Sequence, residues 1–443
     1  MSTPFLWGVA SAAFQVEGAL AEDGRAPSVW DVFSARPGAV RDGHSPAVAC
    51  DHYHRWEEDV ELLERLGVNA YRFSIAWPRV VPTGDGAVNP AGLDFYDRLV
   101  DALLAREITP LPTLFHWDLP QALEEGGGWS ERATAHAFAS YAAKAADRLG
   151  DRVGRWITLN EPLVHATYGH ALGVHAPGRT LEVPGVLEVA HHLLLAHGLA
   201  AAELRSRGLE AVLTNNYSPV EPAGGSGAGG GPDEEAARAY DTLHNRLFTD
   251  PVLTGAYPDV SALGADAVPG VRAGDLDLIA GSADGIGVNY YNPTRVTATE
   301  PGAGLPFGFG EIPGVPVTGF GWPVVPEGLE RMILLLGERY GSALPPLYVT
   351  ENGCSYPDAV SSDGRVRDRD RIAYLEGHVS AVEAARRRGA DVRGYFVWTL
   401  TDNFEWAEGY HQRFGLVHVD HATQARTPKD SFAWYRDLVA ARR

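Results

Sequence analysis

Eight times along this chain a short, β-rich apolar run gives way to a longer amphipathic segment, and that rhythm limits the fold more than any other feature. Phe5–Ala10, Asn69–Ile75, Thr109–Phe115, Arg155–Asn160, Ala211–Asn215, Gly285–Tyr290, Leu347–Thr350 and Gly394–Leu400 read as strands. The segments after them read as helices: Arg55–Leu66, Pro90–Arg106, Glu131–Leu149, Val186–Arg207, Asp233–Phe248, Glu327–Tyr340, Arg369–Arg388 and Ser431–Ala441. In the first helix Trp56, Val60 and Leu63 recur at i, i+4 and i+7, with acidic residues on the other face. Such alternation implies parallel strands joined by crossover helices. Eight units suggest a closed α/β barrel, the (β/α)8 or TIM-barrel class. A doubly wound open sheet would want a GxGxxG turn after the first strand, and none stands there.

A chain of 443 residues suits this class as one domain, residues 1–443, because α/β barrels run long. The glycine-rich stretch Ala223–Pro232 reads as a flexible surface loop, since the strand–helix rhythm resumes beyond it. Gly302–Phe320, rich in Gly, Pro and Phe, reads as a long βα loop of the kind that builds a barrel's mouth. No repeat of solenoid or propeller period is present.

Composition narrows the partners. The net charge of −20 would repel phosphate backbones and anionic lipid, so neither nucleic acid nor a membrane surface is expected as a partner. Only two lysines occur, Lys144 and Lys429, and neither sits in a motif suited to Schiff-base chemistry. Two cysteines, Cys50 and Cys354, support no disulfide framework and no CxxC metal site. The apolar run Phe5–Phe14 lacks the positive region of a secretory signal. No uninterrupted apolar stretch reaches the roughly 18 residues of a membrane span. A soluble, cytoplasmic protein is expected.

Two glutamates end strands in similar settings. Thr158-Leu159-Asn160-Glu161-Pro162 closes the fourth strand and Val349-Thr350-Glu351-Asn352-Gly353 the seventh. In a barrel both would stand at the C-terminal mouth, where catalytic residues of this fold lie. Paired carboxyls flanking a bond are what glycoside hydrolysis requires. A solvated surface glutamate is the ordinary reading of either one alone.

Longer strings sharpen this. Phe5-Leu6-Trp7-Gly8-Val9-Ala10-Ser11-Ala12-Ala13-Phe14-Gln15-Val16-Glu17-Gly18-Ala19, Phe115-His116-Trp117-Asp118-Leu119-Pro120-Gln121, Asn160-Glu161-Pro162, Thr350-Glu351-Asn352-Gly353, Asp402-Asn403-Phe404-Glu405-Trp406 and Arg426-Thr427-Pro428-Lys429-Asp430-Ser431-Phe432 follow one another in order. Together they resemble glycoside hydrolase family 1, the β-glucosidase family, over nearly the full length. The resemblance implies a retaining β-glycosidase, most readily a β-glucosidase, with Glu161 as acid/base and Glu351 as nucleophile. It implies that Gln15, His116, Asn160, Glu405 and Trp406 bind sugar hydroxyls, that Trp398 forms the platform under the ring and that Phe414 lines the pocket. Tyr291 would hydrogen-bond the nucleophile, and Arg72 would lie beside it. Asn216, His175 and Trp322 are expected toward the aglycone. Thr399, Thr401 and Leu159 depart from the family's usual residues, and none carries a chemical role. Expected ligands are small β-glycosides or short oligosaccharides, cellulose-derived ones included, with no cofactor and no metal.

Chemistry fits these types. Retaining enzymes hold the carboxyls about 5–5.5 Å apart. Two like charges there interact by roughly 3 kcal/mol at an effective dielectric near 20, on the order of two pKa units. An ionised Glu351 would thus keep Glu161 protonated until the sugar ester forms.

Two decoys are set aside. Cys50-Asp51-His52-Tyr53-His54 lacks a partner set at ligand spacing. Cys354 has no basic neighbour in sequence to favour a thiolate. A 6-phospho-β-glycosidase would carry a lysine in the loop after the eighth strand, yet Phe404–Phe414 has none. A non-catalytic sugar-binding relative would lack one of the glutamates, and a thioglucosidase would lack the acid. Transglycosylation, and β-galactosidase or β-fucosidase activity, use the same residues and stay open.

Overall fold

Parallel pairing closes on itself in this chain. The computed structural model describes residues 4–225, 231–300 and 305–443. Its barrel strands are β1 Leu6–Ala10, β2 Ala70–Ser74, β3 Thr109–Phe115, β4 Arg155–Asn160, β5 Glu210–Asn216, β6 Gly285–Asn289, β7 Leu347–Asn352 and β8 Val392–Trp398. Each pairs with its neighbours in sequence, and β1 closes the ring on β8 with Leu6 opposite Gly394 and Ala10 opposite Trp398. All eight lie where the apolar runs predict them, with ends shifted by at most two residues.

The main crossover helices are α1 His52–Leu66, α2 Pro90–Leu104, α3 Arg132–Leu149, α4 Val183–Arg205, α5 Pro232–Asp241, α6 Pro326–Tyr340 and α7 Arg369–Arg387, followed by α8 Asp430–Ala440. Proline stands in the first turn of α2, α4, α5 and α6, where its missing N–H costs no helical bond. In α1, Val60 and Leu63 are buried and Trp56 is half-buried, as the period demands. Helix α4, 23 residues long with mean hydropathy 1.2 in its most apolar window, has the length and apolarity to cross a membrane; here 78% of that window is buried inside the protein.

Two cores result. Leu6, Ala70, Leu111, Ile157, Val212 and Phe396 help fill the barrel, and this cluster continues upward to Trp398 and Phe414. Gly8 makes room for Phe396, since a Cβ there would lie 2.3 Å from its ring. The larger core lies between strands and helices and includes Leu159, so that departure from the family pattern sits outside the barrel.

Two expectations need correction. The predicted helix Asp233–Phe248 ends at Asp241 and passes into one π-helical turn, Thr242–Arg246. Gly302–Phe320 is not simply a loop. Phe307–Gly310 forms a strand antiparallel to Thr294–Ala298, which pairs in turn with Val220–Pro222 in a small sheet beside the mouth. Alternating glycine and phenylalanine hid that strand. Residues 226–230 of the stretch Ala223–Pro232, and 302–304 of the second segment, lie outside the described residues.

Candidate active site

At the C-terminal end of the barrel a cleft of 1530 Å³ opens, and Glu161 and Glu351 both line it. Glu161 follows β4 directly, in the left-handed region with φ 43°. Its backbone N–H donates to the carbonyl of Thr214 on β5 (2.9 Å), and Pro162 opens a short helix after it. Two other non-glycine residues of the cleft wall, Trp117 (φ 73°) and Trp406 (φ 49°), share this conformation. Such backbone costs on the order of 1–3 kcal/mol each and gathers at functional sites. Near Glu351 the β6–β7 register shifts between Val349 and Glu351, which re-aims the strand end. Gly353 then passes under Trp398, where a Cβ would stand 1.9 Å from the Trp398 carbonyl oxygen.

The two carboxyls are held differently. Glu351 accepts from Arg72 Nη1 (2.6 Å) on Oε1 and from the Tyr291 hydroxyl (2.7 Å) on Oε2. Both contacts favour the ionised form. Among the described residues Glu161 accepts on Oε1 only, from the amides of Asn216 (2.8 Å) and Asn289 (3.0 Å). Burial first, and the negative charge of Glu351 second, push Glu161 up to about 7, against the pull of those amides and of Arg72. Like-charge repulsion was the expected cause; desolvation is the larger one, because the carboxyl is almost wholly enclosed at the barrel mouth.

Behind them runs a polar network. Arg72 Nη2 donates to Asn160 Oδ1 (2.6 Å), which also accepts from Asn289 Nδ2 (3.0 Å). The Asn160 amide nitrogen therefore faces His116 Nε2 (3.0 Å), making that nitrogen the acceptor. His116 Nδ1 then carries the hydrogen, and it has no partner among the described residues. Burial and the charge of Arg72 hold His116 well below the usual imidazole range, so the ring is neutral.

Gln15 Nε2 donates to Glu405 Oε2 (3.1 Å) and to Asn403 Oδ1 (3.1 Å), while its Oε1 is buried with no partner among the described residues. Burial pushes Glu405 up to about 8, so at neutral pH it can donate as well as accept. Trp398 and Trp406 flank the His116 ring, with centroids at 5.7 and 5.8 Å. Phe414 packs against Tyr291 and Trp322, and Trp322 stacks on Phe320 at 4.4 Å.

The structure thus brings all eleven residues expected at the site to one end of the barrel. His175 and Trp322 line the outer cleft. Asn216 lines the same cleft and donates to Glu161. Asn289 was missed; a polar residue ending a strand, one position before two tyrosines, was the available signal. Thr399 and Thr401 bond to the Ala10 carbonyl and to Cys50 Sγ, away from the carboxyls. Cys354 does have a basic neighbour in space, since Arg371 Nη1 lies 3.9 Å from its sulfur, but burial still pushes the thiol up to about 12. In the histidine-rich decoy, His52 pairs with Asp59, and His54 with Asp51 and Glu22.

Comparison with known proteins gives a family and close relatives in fold. The sequence profile of glycosyl hydrolase family 1 matches residues 1–443. A thermostable β-glucosidase B from Thermobispora bispora is 50% identical, covering 98% of this chain and 89% of the relative. The crystal structure of the psychrophilic β-glucosidase BglU from Micrococcus antarcticus superposes with a TM-score of 0.94 at 46% identity, covering 100% of this chain and 98% of that one. A β-glucosidase from Thermotoga maritima in complex with deoxynojirimycin gives 0.93 at 43% identity, covering 99% and 98%.

Proposed function

The chain belongs to glycosyl hydrolase family 1, and from that premise we propose that it is a retaining β-glucosidase that releases terminal non-reducing β-D-glucosyl residues from small glycosides and short oligosaccharides. The observation that carries the reading is the unequal treatment of two carboxyls facing one cleft. Glu351 is held for charge by Arg72 and Tyr291. Glu161 is held for protonation by burial and by its neighbour's charge.

Each then has one task. Glu351 attacks the anomeric carbon while Glu161 gives its proton to the departing glycosidic oxygen, leaving a glycosyl ester on Glu351. Esterification removes the Glu351 charge, so Glu161 titrates more easily as carboxylate. It takes a proton from water, whose oxygen attacks the anomeric carbon and releases Glu351. Two inversions give net retention.

Sugar binding draws on the rest of the wall. His116 Nδ1–H and Gln15 Oε1 are a donor and an acceptor of the kind that sugar hydroxyls satisfy. Glu405 beside Gln15 supplies a carboxyl, and Trp398 an apolar face. Relatives of this chain that are named β-glucosidases, one with an iminosugar bound, support the same substrate class.

NMR of the first-formed sugar from an aryl β-glucoside should show the β anomer. Glu351→Gly should abolish turnover, with azide restoring it as an α-glycosyl azide. A first-formed α sugar, or full activity in the variant, would overturn the double displacement.

A further inference from the structure

Glu161 is tied to a hydrogen-bond chain whose direction can be read from one end to the other. The Asn216 amide donates to Glu161 Oε1, so its carbonyl oxygen Oδ1 is turned away, toward His244 Nε2 at 3.1 Å. A carbonyl only accepts, so Nε2 must carry the hydrogen. Nδ1 of the same ring is then an acceptor, and the Tyr240 hydroxyl lies 3.0 Å from it. The sequence Tyr240 O–H, His244 Nε2–H, Asn216 Nδ2–H, Glu161 Oε1 is therefore consistent at every link. His244 stands on the π-helical turn that interrupts the predicted helix, a distortion often found at functional sites. Its ring stacks on Tyr240 at 5.0 Å, and Tyr240 is wedged in turn against Phe307 and Phe309 of the small sheet. Burial holds His244 down at about 4, so the ring is neutral and has a single hydrogen to give.

The second donor to Glu161, Asn289, reaches the same oxygen. Both amides converge on Oε1, and among the described residues no protein group bonds Oε2. A carboxyl that accepts two N–H donors on one oxygen carries its proton on the other.

We infer that His244 is a positioning residue for the acid step: by fixing the Asn216 amide it keeps the Glu161 proton on Oε2. This rests on the reading of Glu161 as acid/base. Without the His244 N–H, the Asn216 side chain loses the contact that sets its orientation, and Oε1 loses a reliable donor. Asn289 alone then holds Oε1, so the preference of the proton for Oε2, the oxygen aimed for transfer, is weakened. Groups that act on Glu161 from other elements are Glu351, Arg72, Tyr168, Tyr291 and Glu405; those that face His244 are Tyr240 and Asp241. None of them replaces the lost donor.

The test uses leaving groups that differ in their need for a proton. A methyl β-glucoside departs only with acid assistance, whereas a dinitrophenyl β-glucoside departs nearly without it. His244→Phe should lower kcat/KM for the methyl glucoside by at least about tenfold and for the dinitrophenyl glucoside by no more than about twofold. His244→Gln, whose amide nitrogen can occupy the place of Nε2, should restore most of the loss. Equal losses on both substrates, no loss on either, or a Gln variant no better than Phe would overturn the inference. The wild-type reaction separates this from the broader reading. If the parent enzyme inverts, or turns over neither glucoside, the acid/base assignment falls and this inference with it. If it retains and hydrolyses both, a null result in the variants removes His244 alone.

Discussion

The pKa of a single buried carboxyl sets the working range of this site. Glu161 must be protonated to assist departure of the aglycone, and burial with the Glu351 charge lifts it to about 7. The fraction of competent enzyme therefore falls as pH rises through that value. The alkaline limb of kcat/KM should lie near pH 7, and a profile flat to pH 9 would show that another group supplies the proton. The amides of Asn216 and Asn289 pull against burial by stabilising the carboxylate. Asn216→Ala should therefore move the limb upward, by about one unit for one hydrogen bond to a charged group. A downward shift would mean that the amide supports the protonated form.

Between the strands, the segments that carry the site are joined by one side chain from α7. Arg371 is buried and donates to the carbonyls of Cys354 and Phe414, to that of Arg413 (2.9 Å), and to the carboxylates of Asp358 and of Asp368 (2.8 Å). Cys354 follows the Glu351 motif, and Phe414 walls the pocket. Lys429 bridges Asp358 (2.5 Å) to Asp402 (2.7 Å), just ahead of Glu405. Arg371→Met would leave buried Asp368 without a cation and Asp358 with Lys429 alone, so a loss of about 3 kcal/mol in unfolding free energy is expected from chemical denaturation. A loss under about 1 kcal/mol would mean that water or Lys429 already satisfies them. This level also shows what a sequence makes legible. Strands and helices were readable because their hydrophobic periods follow from burial on a sheet or a helix face, as Val60 and Leu63 illustrate. The glutamates were readable as a candidate pair from their strand-end setting, and their separate roles from the resemblance to the family. The partnership of Asn289 with Glu161, the Arg371 hub and the His244 turn were not, since amide and guanidinium contacts between distant segments leave no period. The strand Phe307–Gly310 escaped because glycine and proline around it mimic a loop.

Across the molecule, the same burial that prepares the site works against stability at higher pH. Glu161 is raised to about 7, while Asp118 and Glu405 are each raised to about 8, with desolvation the largest cause in every case. A carboxyl whose folded pKa exceeds its unfolded value binds its proton more tightly when folded. Between the two values the folded state holds more protons, so stability must fall as pH rises. For Glu161 the window runs from its ordinary value of 4.5 to about 7, and the full effect above it is about 3 kcal/mol. Replacing the carboxyl by an amide removes this term and leaves an oxygen to accept from Asn216 and Asn289. The difference in unfolding free energy, Glu161→Gln minus wild type, should therefore grow in favour of the variant by about 2.5 kcal/mol between pH 5 and pH 8. Asp118→Asn should behave alike, although Asp118 has no place in the proposed chemistry, which separates the cost of burial from the loss of activity. A difference that stays constant across that range would mean that Glu161 titrates equally in the folded and unfolded chain, and the electrostatic basis for its role as acid would go with it. A growing difference would tie activity to stability through one proton: the group that makes the inactive Gln variant more robust at pH 8 is the group that lets the wild type cleave a glycoside at neutral pH.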